Sequence, residues 1–361
     1  MKALYVHIPF CKDICAYCDF TRSRYHHEVA DKWLVALQKE LQQKNLADSI
    51  ETIFIGGGTP TALSDSQFHK VLHMLQPLRK NIKEFSVEAN VDSLSNEKIQ
   101  DMKNMGVNRI SIGVQTFDKN LLNKIARFHT IEEVKDRIYA LRKAGIHNIS
   151  LDFMYGLPGQ TMKQWEYDLS VAIQLPIQHI SLYALTIEKN SAFGRENVEP
   201  MDSTLEGEMY DIAIATLEKA GFFQYEISSF AKPGYECLHN QMYWKYEDFE
   251  GIGCGACGKR LQLRYNNTNN IQTYISEGPS PELIPLTKRD EMFEMVMMSL
   301  RMKKGLCLES FHNRFHESFN QVYKQPLQDM LEKEYLVMEE GYVKTTKKGM
   351  FFLHDVLEVF L

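Results

Sequence analysis

Short apolar runs rich in β-branched and aromatic residues alternate with longer stretches whose apolar positions recur every three or four residues. This rhythm persists from the N-terminus to about Leu185. The first pattern is that of strands and the second that of amphipathic helices. Strands are predicted at Leu4–Ile8, Thr52–Ile55, Phe85–Glu88, Arg109–Val114, Ile149–Met154 and Ile180–Leu185. Helices are predicted at Asp31–Gln43, Ser66–Leu78, Glu97–Met105, Ile131–Lys143 and Lys163–Ile173. Runs such as TIFIG and SLDFMYG are apolar almost throughout, as strands of a helix-covered parallel sheet are. The expectation is an α/β fold of six βα units, with functional loops at the C-terminal ends of the strands. Six units suit a partial TIM-like barrel, and a doubly wound sheet gives the same periodicity.

Beyond about Gly221 the rhythm is lost in a polar, aromatic and Gly-rich segment, HNQMYWKYEDFEGIGCGACGKR, which reads as loops and short strands. Helical patterning returns near Lys288 in EMFEMVMMSLRMKKG, and LVMEEGYVKTT has the form of a β-hairpin between helices. A small α+β, winged-helix-like C-terminal domain is expected there. The methionines of the first segment fall at helical spacing, which favours a core-facing stripe over a flexible partner groove. The division expected is a core over 1–225, a connector packing on it over 226–287, and the C-terminal domain over 288–361.

Composition narrows the class. The 361 residues are 44% hydrophobic and 24% charged, enough for a sizeable core plus a smaller one. A net charge of −6, from 47 acidic and 41 basic residues without long blocks of one sign, offers no footprint for nucleic acid. MKALYVHIPFC lacks the apolar core of a secretory signal, and no apolar run is long enough to span a membrane, so a cytoplasmic protein is expected. Seven cysteines in such a compartment are metal ligands or free thiols more often than disulfides.

Three of them, Cys11, Cys15 and Cys18, lie within CKDICAYC directly after the first strand. Cubane iron–sulfur clusters take cysteine thiolates, normally four. With three irons held by protein, the fourth is free to bind the amino and carboxylate groups of a methionine-like ligand. The alternative is a zinc knuckle, although local zinc pairs are usually C-x2-C or C-x4-C with a second pair downstream.

The C-x3-C-x2-C loop, with aromatic Tyr17 before its last cysteine, resembles the radical-SAM superfamily, and the likeness continues through GGGTPT, SVEAN, RISIGVQTF, KIARFH and LDFMYGLPGQT. It implies a radical-SAM partial (β/α)6 barrel with a [4Fe-4S] cluster on Cys11, Cys15 and Cys18. It also implies S-adenosylmethionine contacts from Tyr5, Tyr17, Gly57, Gly58, Thr59, Glu88, Gln115, Arg127 and Asp152. Taken without it, the glycines describe a tight βα turn, and a carboxylate at a strand end is a helix cap or a solvated charge. Four polar residues at or near one level of the sheet weaken that bland account.

The order of motifs, including HNQMYW, is most similar to the HemN/HemW group. Its oxygen-independent coproporphyrinogen oxidases have a longer N-terminal arm and a further cysteine two residues after the third. Here that position is Phe20, and ten residues precede the cluster loop. Both departures match the haem-chaperone branch, which implies haem as cargo, a haem-acceptor protein, an electron donor and at most peripheral membrane association. A radical-SAM enzyme acting on porphyrin, such as the oxidase, is the alternative. His239 of HNQMYW is the candidate haem ligand, an imidazole with aromatic neighbours, against the reading of a hydrogen-bonded packing histidine. Cys257 stands where the group usually carries histidine. With Cys237, Cys254 and His239 it makes a Cys3His zinc site conceivable, against Gly-rich packing under the cluster. Cys307 reads as a buried apolar residue.

Overall fold

The computed structural model describes residues 2–44, 46 and 50–361. Six parallel strands form its centre: β1 (Ala3–Ile8), β2 (Thr52–Gly57), β3 (Glu84–Asn90), β4 (Arg109–Gln115), β5 (Asn148–Tyr155) and β6 (His179–Ala184). They neighbour one another in simple chain order. A doubly wound sheet reverses its strand order at a switch point; a barrel does not. The monotonic order therefore resolves the ambiguity left by periodicity in favour of a partial barrel. Every residue of β4 is buried, as a strand covered on both faces requires.

Helices α1 (His27–Gln43), α2 (Asp65–Leu75), α3 (Asn96–Asn104), α4 (Lys119–Lys124), α5 (Ile131–Lys143) and α6 (Met162–Ala172) supply the crossovers. The starts of α2, α5 and α6 are set by reciprocal capping boxes, Ser64 with Gln67, Thr130 with Glu133 and Thr161 with Gln164. Their apolar faces meet the outer faces of the strands, and Trp33, Phe68, Ile138 and Trp165 belong to one continuous buried core with β1–β6. A longer helix, α7 (Ser203–Lys219), packs on α6.

The segment read as loops and short strands extends this same sheet. The pair β7 (Phe223–Glu226) and β8 (Ser229–Ala231) adds antiparallel to β6. HNQMYW itself lies in a helix, α8 (Leu238–Trp244), which corrects the loop reading of His239. The chain then returns to the opposite edge as β9 (Phe249–Ile252), parallel to β1, followed by β10 (Cys257–Arg260), β11 (Leu263–Asn266) and β12 (Glu282–Pro285). The resulting 12-stranded sheet runs β12-β11-β10-β9-β1-β2-β3-β4-β5-β6-β8-β7.

The Met-rich segment forms α9 (Lys288–Ser299), with Met292, Met295 and Val296 in a second core. The methionine stripe is thus core-facing. That core also takes in α10 (Leu308–Phe315) and a three-stranded sheet of β13 (Leu306–Cys307), β14 (Leu336–Glu339) and β15 (Tyr342–Thr345). β14 and β15 are the expected hairpin. The two cores are tied by charge as well as by backbone: buried Lys259 lies 3.1 Å from Asp248 and 3.7 Å from Glu291, and its ammonium sits over the Tyr246 ring. Cys307 is half-buried rather than buried; burial raises its thiol, but hydrogen bonds with Ser310, Tyr342 and the Glu309 backbone together outweigh that and draw it below the usual range.

Candidate functional site

Loops at the C-terminal ends of the strands converge on a cavity of about 420 Å³. The cluster-loop residues Cys11, Cys15, Tyr17 and Cys18 line one side. Gly57, Gly58 and Thr59 after β2, Glu88 on β3, Gln115 at the end of β4, Arg127 beyond α4 and Asp152 on β5 line the rest. Eleven of the thirteen residues singled out in the sequence therefore share one space. Tyr5 and His239 do not; they line an adjoining interior chamber of about 190 Å³ that has Glu88, Ser111, Asp152 and Tyr183 in common with the first.

The loop Lys12–Arg22 is pinned at its base by a short parallel pairing of Phe10–Cys11 with Ser23–Arg24. Arg22 closes it further by donating to the carbonyls of Cys18 and Phe20. Behind it, buried His7 bridges the Tyr5 hydroxyl at 3.0 Å and the Thr21 carbonyl at 2.8 Å. The Gly-rich stretch packs directly beneath: a Cβ on Gly255 (φ +81) would fall 2.5 Å from the Thr21 side chain. Gly58 is equally constrained, since a Cβ there would stand 2.8 Å from the Phe10 carbonyl oxygen and 2.9 Å from Cys11 Sγ.

The Arg127 Nε donates to Cys15 Sγ at 3.1 Å, and Thr59 Oγ1 points at Cys11 Sγ at 3.7 Å. Burial works against the Arg127 charge, but Cys15 and Tyr17 outweigh it and raise its pKa. Opposite, Glu88 accepts from Gly57 N at 3.1 Å, and Asp152 accepts from Ser111 Oγ at 2.9 Å. Burial, reinforced by Asp152, pushes Glu88 up to about 8, and burial also raises Asp152. Two residues that sequence reasoning did not single out complete this wall. Asn90 Nδ2 donates to Thr59 Oγ1 at 3.0 Å, and its place two residues after Glu88 on one strand was the available signal. Ser111 carried no signal beyond its position inside β4.

His239 lies at the other end of the barrel. It is fully buried, Nδ1 is 2.9 Å from Thr52 Oγ1, and Nε2 is 2.7 Å from Tyr243 OH. Burial, then the nearby Arg109, lowers its pKa to about 3. Glu84 at the start of β3 accepts from Cys237 Sγ and from the backbone N–H groups of Leu238 and His239, so a carboxylate caps the helix N-terminus. Helix α8 thus forms a floor under β2 and β3. The geometry is that of the hydrogen-bonded packing histidine, with neither ring nitrogen open to a ligand.

The conceivable Cys3His zinc site is not assembled. Cys237 Sγ donates to Glu84, Cys254 Sγ donates to the Thr268 carbonyl at 3.2 Å, and Cys257 is exposed at the start of β10. Among the described residues no three His, Cys, Asp or Glu side chains converge to hold a single metal ion.

A partial barrel with three cysteines in the loop after its first strand, facing a pocket walled by the following βα loops, defines a radical-SAM fold. Residues 5–171 match the radical SAM superfamily and residues 286–352 the HemN C-terminal domain. The chain belongs to the HemW family. It is 38% identical to heme chaperone HemW of Bacillus subtilis (strain 168), covering all of this chain and 99% of that one. It is 34% identical to heme chaperone HemW of Escherichia coli (strain K12), covering 99% and 98%. Among solved structures it is similar to the coproporphyrinogen III oxidase HemN of Escherichia coli, a radical SAM enzyme, with a TM-score of 0.85, 22% identity and coverage of 99% of this chain and 90% of that one. That likeness concerns the fold.

The family implies a cluster and S-adenosylmethionine, and the residues fit both. Three thiols spaced around a cavity, rather than aimed at one point, are what a cluster needs, because each would hold a different iron. Gly58 keeps clear the space beside Cys11, and the pocket continues past the thiols to the polar groups of Gly57, Thr59 and Glu88.

Proposed function

We propose that this protein binds haem and delivers it to acceptor proteins, and that it carries a [4Fe-4S] cluster on Cys11, Cys15 and Cys18 with S-adenosylmethionine beside it. Full-length similarity to heme chaperones HemW carries the haem reading. The observation that carries the cofactor reading is the single cavity shared by the three thiols and the strand-end residues. When bound, the cluster supplies an electron able to break the S–C bond of the sulfonium. The chain's own residues do the rest: Gly57, Gly58 and Thr59 let backbone approach the methionine end, Glu88 and Asp152 offer acceptors, and Arg127 holds a positive charge against Cys15. The acceptor and the electron donor are separate proteins. No helix of the described residues is long and apolar enough to cross a membrane, which is compatible with work in the cytoplasm or at a membrane surface.

The second reading, a radical-SAM enzyme acting on porphyrin, draws on the fold shared with HemN. One experiment separates the two. Reconstituted protein is incubated without oxygen with S-adenosylmethionine, reductant and coproporphyrinogen, and in parallel haem-loaded protein is mixed with an apo-cytochrome. The chaperone reading expects unchanged porphyrinogen and a haem-replete cytochrome; protoporphyrinogen without transfer reverses it.

A further inference from the structure

The middle of α6 carries a fully buried carboxylate that the cavity does not use. Asp168 accepts from Thr116 Oγ1 and from Phe117 N, both at 2.7 Å, reaching across 52 and 51 residues of chain. Both partners directly follow Gln115, which lies at φ 68, a left-handed conformation that a non-glycine residue adopts only when its surroundings enforce it. The strand register also shifts between Gly113 and Gln115. One turn further, Asp118 caps α4 through Asn120 N and Leu121 N and accepts from Gln164 Nε2 at 2.9 Å, again from α6. Beyond α4 the chain meets the cluster loop, where Ala16 N donates to the Ile125 carbonyl and Arg127 to Cys15.

We propose that Asp168 is a positioning residue for the S-adenosylmethionine pocket, latching the Thr116–Phe117 turn so that Gln115 is held in the strained conformation that places it on the cavity wall. The inference rests on the reading that this cavity binds S-adenosylmethionine. An apolar side chain at this helix position would bury at less cost, and the carboxylate is kept although burial pushes it up to about 7. The charged group set against it is Asp118, itself satisfied by three donors.

The hydrogen bonds have a fixed direction. Asp118 N donates to Thr116 Oγ1 at 3.1 Å, so the Thr116 hydroxyl has its proton free only toward Asp168. A carboxylate accepts that proton, whereas the amide nitrogen of asparagine cannot. Thr116→Val removes the same bond, and with it the acceptor of Asp118 N, while leaving the carboxylate and its Phe117 bond in place; Thr116→Ser preserves the whole relay.

The test compares full-length wild-type, Thr116→Ser, Thr116→Val and Asp168→Asn proteins, each reconstituted to equal iron and sulfide content. Two readouts are taken: the S-adenosylmethionine Kd by equilibrium dialysis, and the change that S-adenosylmethionine produces in the EPR spectrum of the reduced cluster. Thr116→Ser is expected within about twofold of wild type. Thr116→Val and Asp168→Asn are expected to bind about tenfold more weakly with an altered EPR response, the usual scale for one lost bond to a charged group. If Asp168→Asn does not fold, Thr116→Val decides. Wild-type affinity in Thr116→Val at equal iron content overturns the latch, even if its melting temperature falls, because a purely structural role moves stability alone. A wild-type protein that holds the cluster but binds no S-adenosylmethionine overturns the reading of the pocket, and the latch with it.

Discussion

Arg127 Nε lies 3.1 Å from Cys15 Sγ, so a buried guanidinium donates directly to one of the three thiols of the loop. The contact ties the segment after α4 to the loop after β1, two parts of the barrel mouth separated by 112 residues. A fixed positive charge beside a ligand sulfur favours the state with more negative charge, which for a cluster is the reduced one. Arg127→Gln is therefore expected to lower the reduction potential of the reconstituted cluster, by on the order of 100 mV for one charge at this range. Potentiometric titration followed by EPR checks it; an unchanged potential at full iron content would separate Arg127 from the cluster's electrostatics.

His239→Ala should behave as a loss of packing. Removing a buried ring that bonds Thr52 and Tyr243 leaves both partners unsatisfied and is expected to cost about 2–4 kcal/mol in denaturant unfolding. The wavelength of the haem Soret band and the haem Kd should stay as in wild type. A shifted band would return His239 to the haem iron.

Glu88 predicts a pH dependence of the cofactor-free chain. Burial holds its carboxyl at about 8, against 4.5 as an unperturbed group. Between those values the folded state keeps a proton that the unfolded state releases, so stability rises as pH falls from about 8 toward 5. Asp152 and Asp168, also raised, act in the same direction. Urea unfolding of wild type and Glu88→Gln at several pH values should give a shallower slope for the variant; equal slopes would mean that Glu88 is ionised at neutral pH.

Gly255→Ala tests the support under the cluster loop. The added methyl would collide with Thr21, and alanine also resists φ +81. A loss of about 1–3 kcal/mol is expected, together with reduced iron per chain after reconstitution, because Thr21 is also the anchor of His7. Full iron loading would show that the loop holds its shape without this contact.

Phe20→Cys places a thiol where the oxidases carry one. The ring is 66% exposed on the cavity rim, so stability should change by no more than about 0.5 kcal/mol. No protoporphyrinogen is expected from coproporphyrinogen in the anaerobic assay. Its formation would mean that this one position separates the two activities.

The parts of the fold legible in the sequence are those governed by local periodicity. The six central strands are apolar almost throughout and the helices between them carry clear apolar stripes, so their existence and order could be read. Strands of three or four residues, such as Ser229–Ala231 and Cys257–Arg260, gave no such signal, because pairing with the strands on either side rather than composition makes them strands. Motif spacing brought eleven residues to one cavity, since they lie on the C-terminal halves of neighbouring strands or in the segments that follow them. His239 falls outside that cavity for the opposite reason: its partners Thr52 and Glu84 stand at strand beginnings more than 150 residues away. Asp168 was invisible because a single aspartate within a helix reads as a solvated charge.

Helix α8 is fastened at both ends to different parts of the molecule. Its first turn is held by Glu84, while the Trp244 ring lies under the Arg301 guanidinium and its carbonyl accepts from Ser299. It acts as a rivet through the two cores. Severing the chain between Pro285 and Lys288 would leave Trp244 and Tyr246 without their cover and loosen the beginnings of the second and third strands. The C-terminal lobe is thus part of what makes the barrel a folding unit, and gene fragments encoding the N-terminal portion by itself should yield aggregating protein.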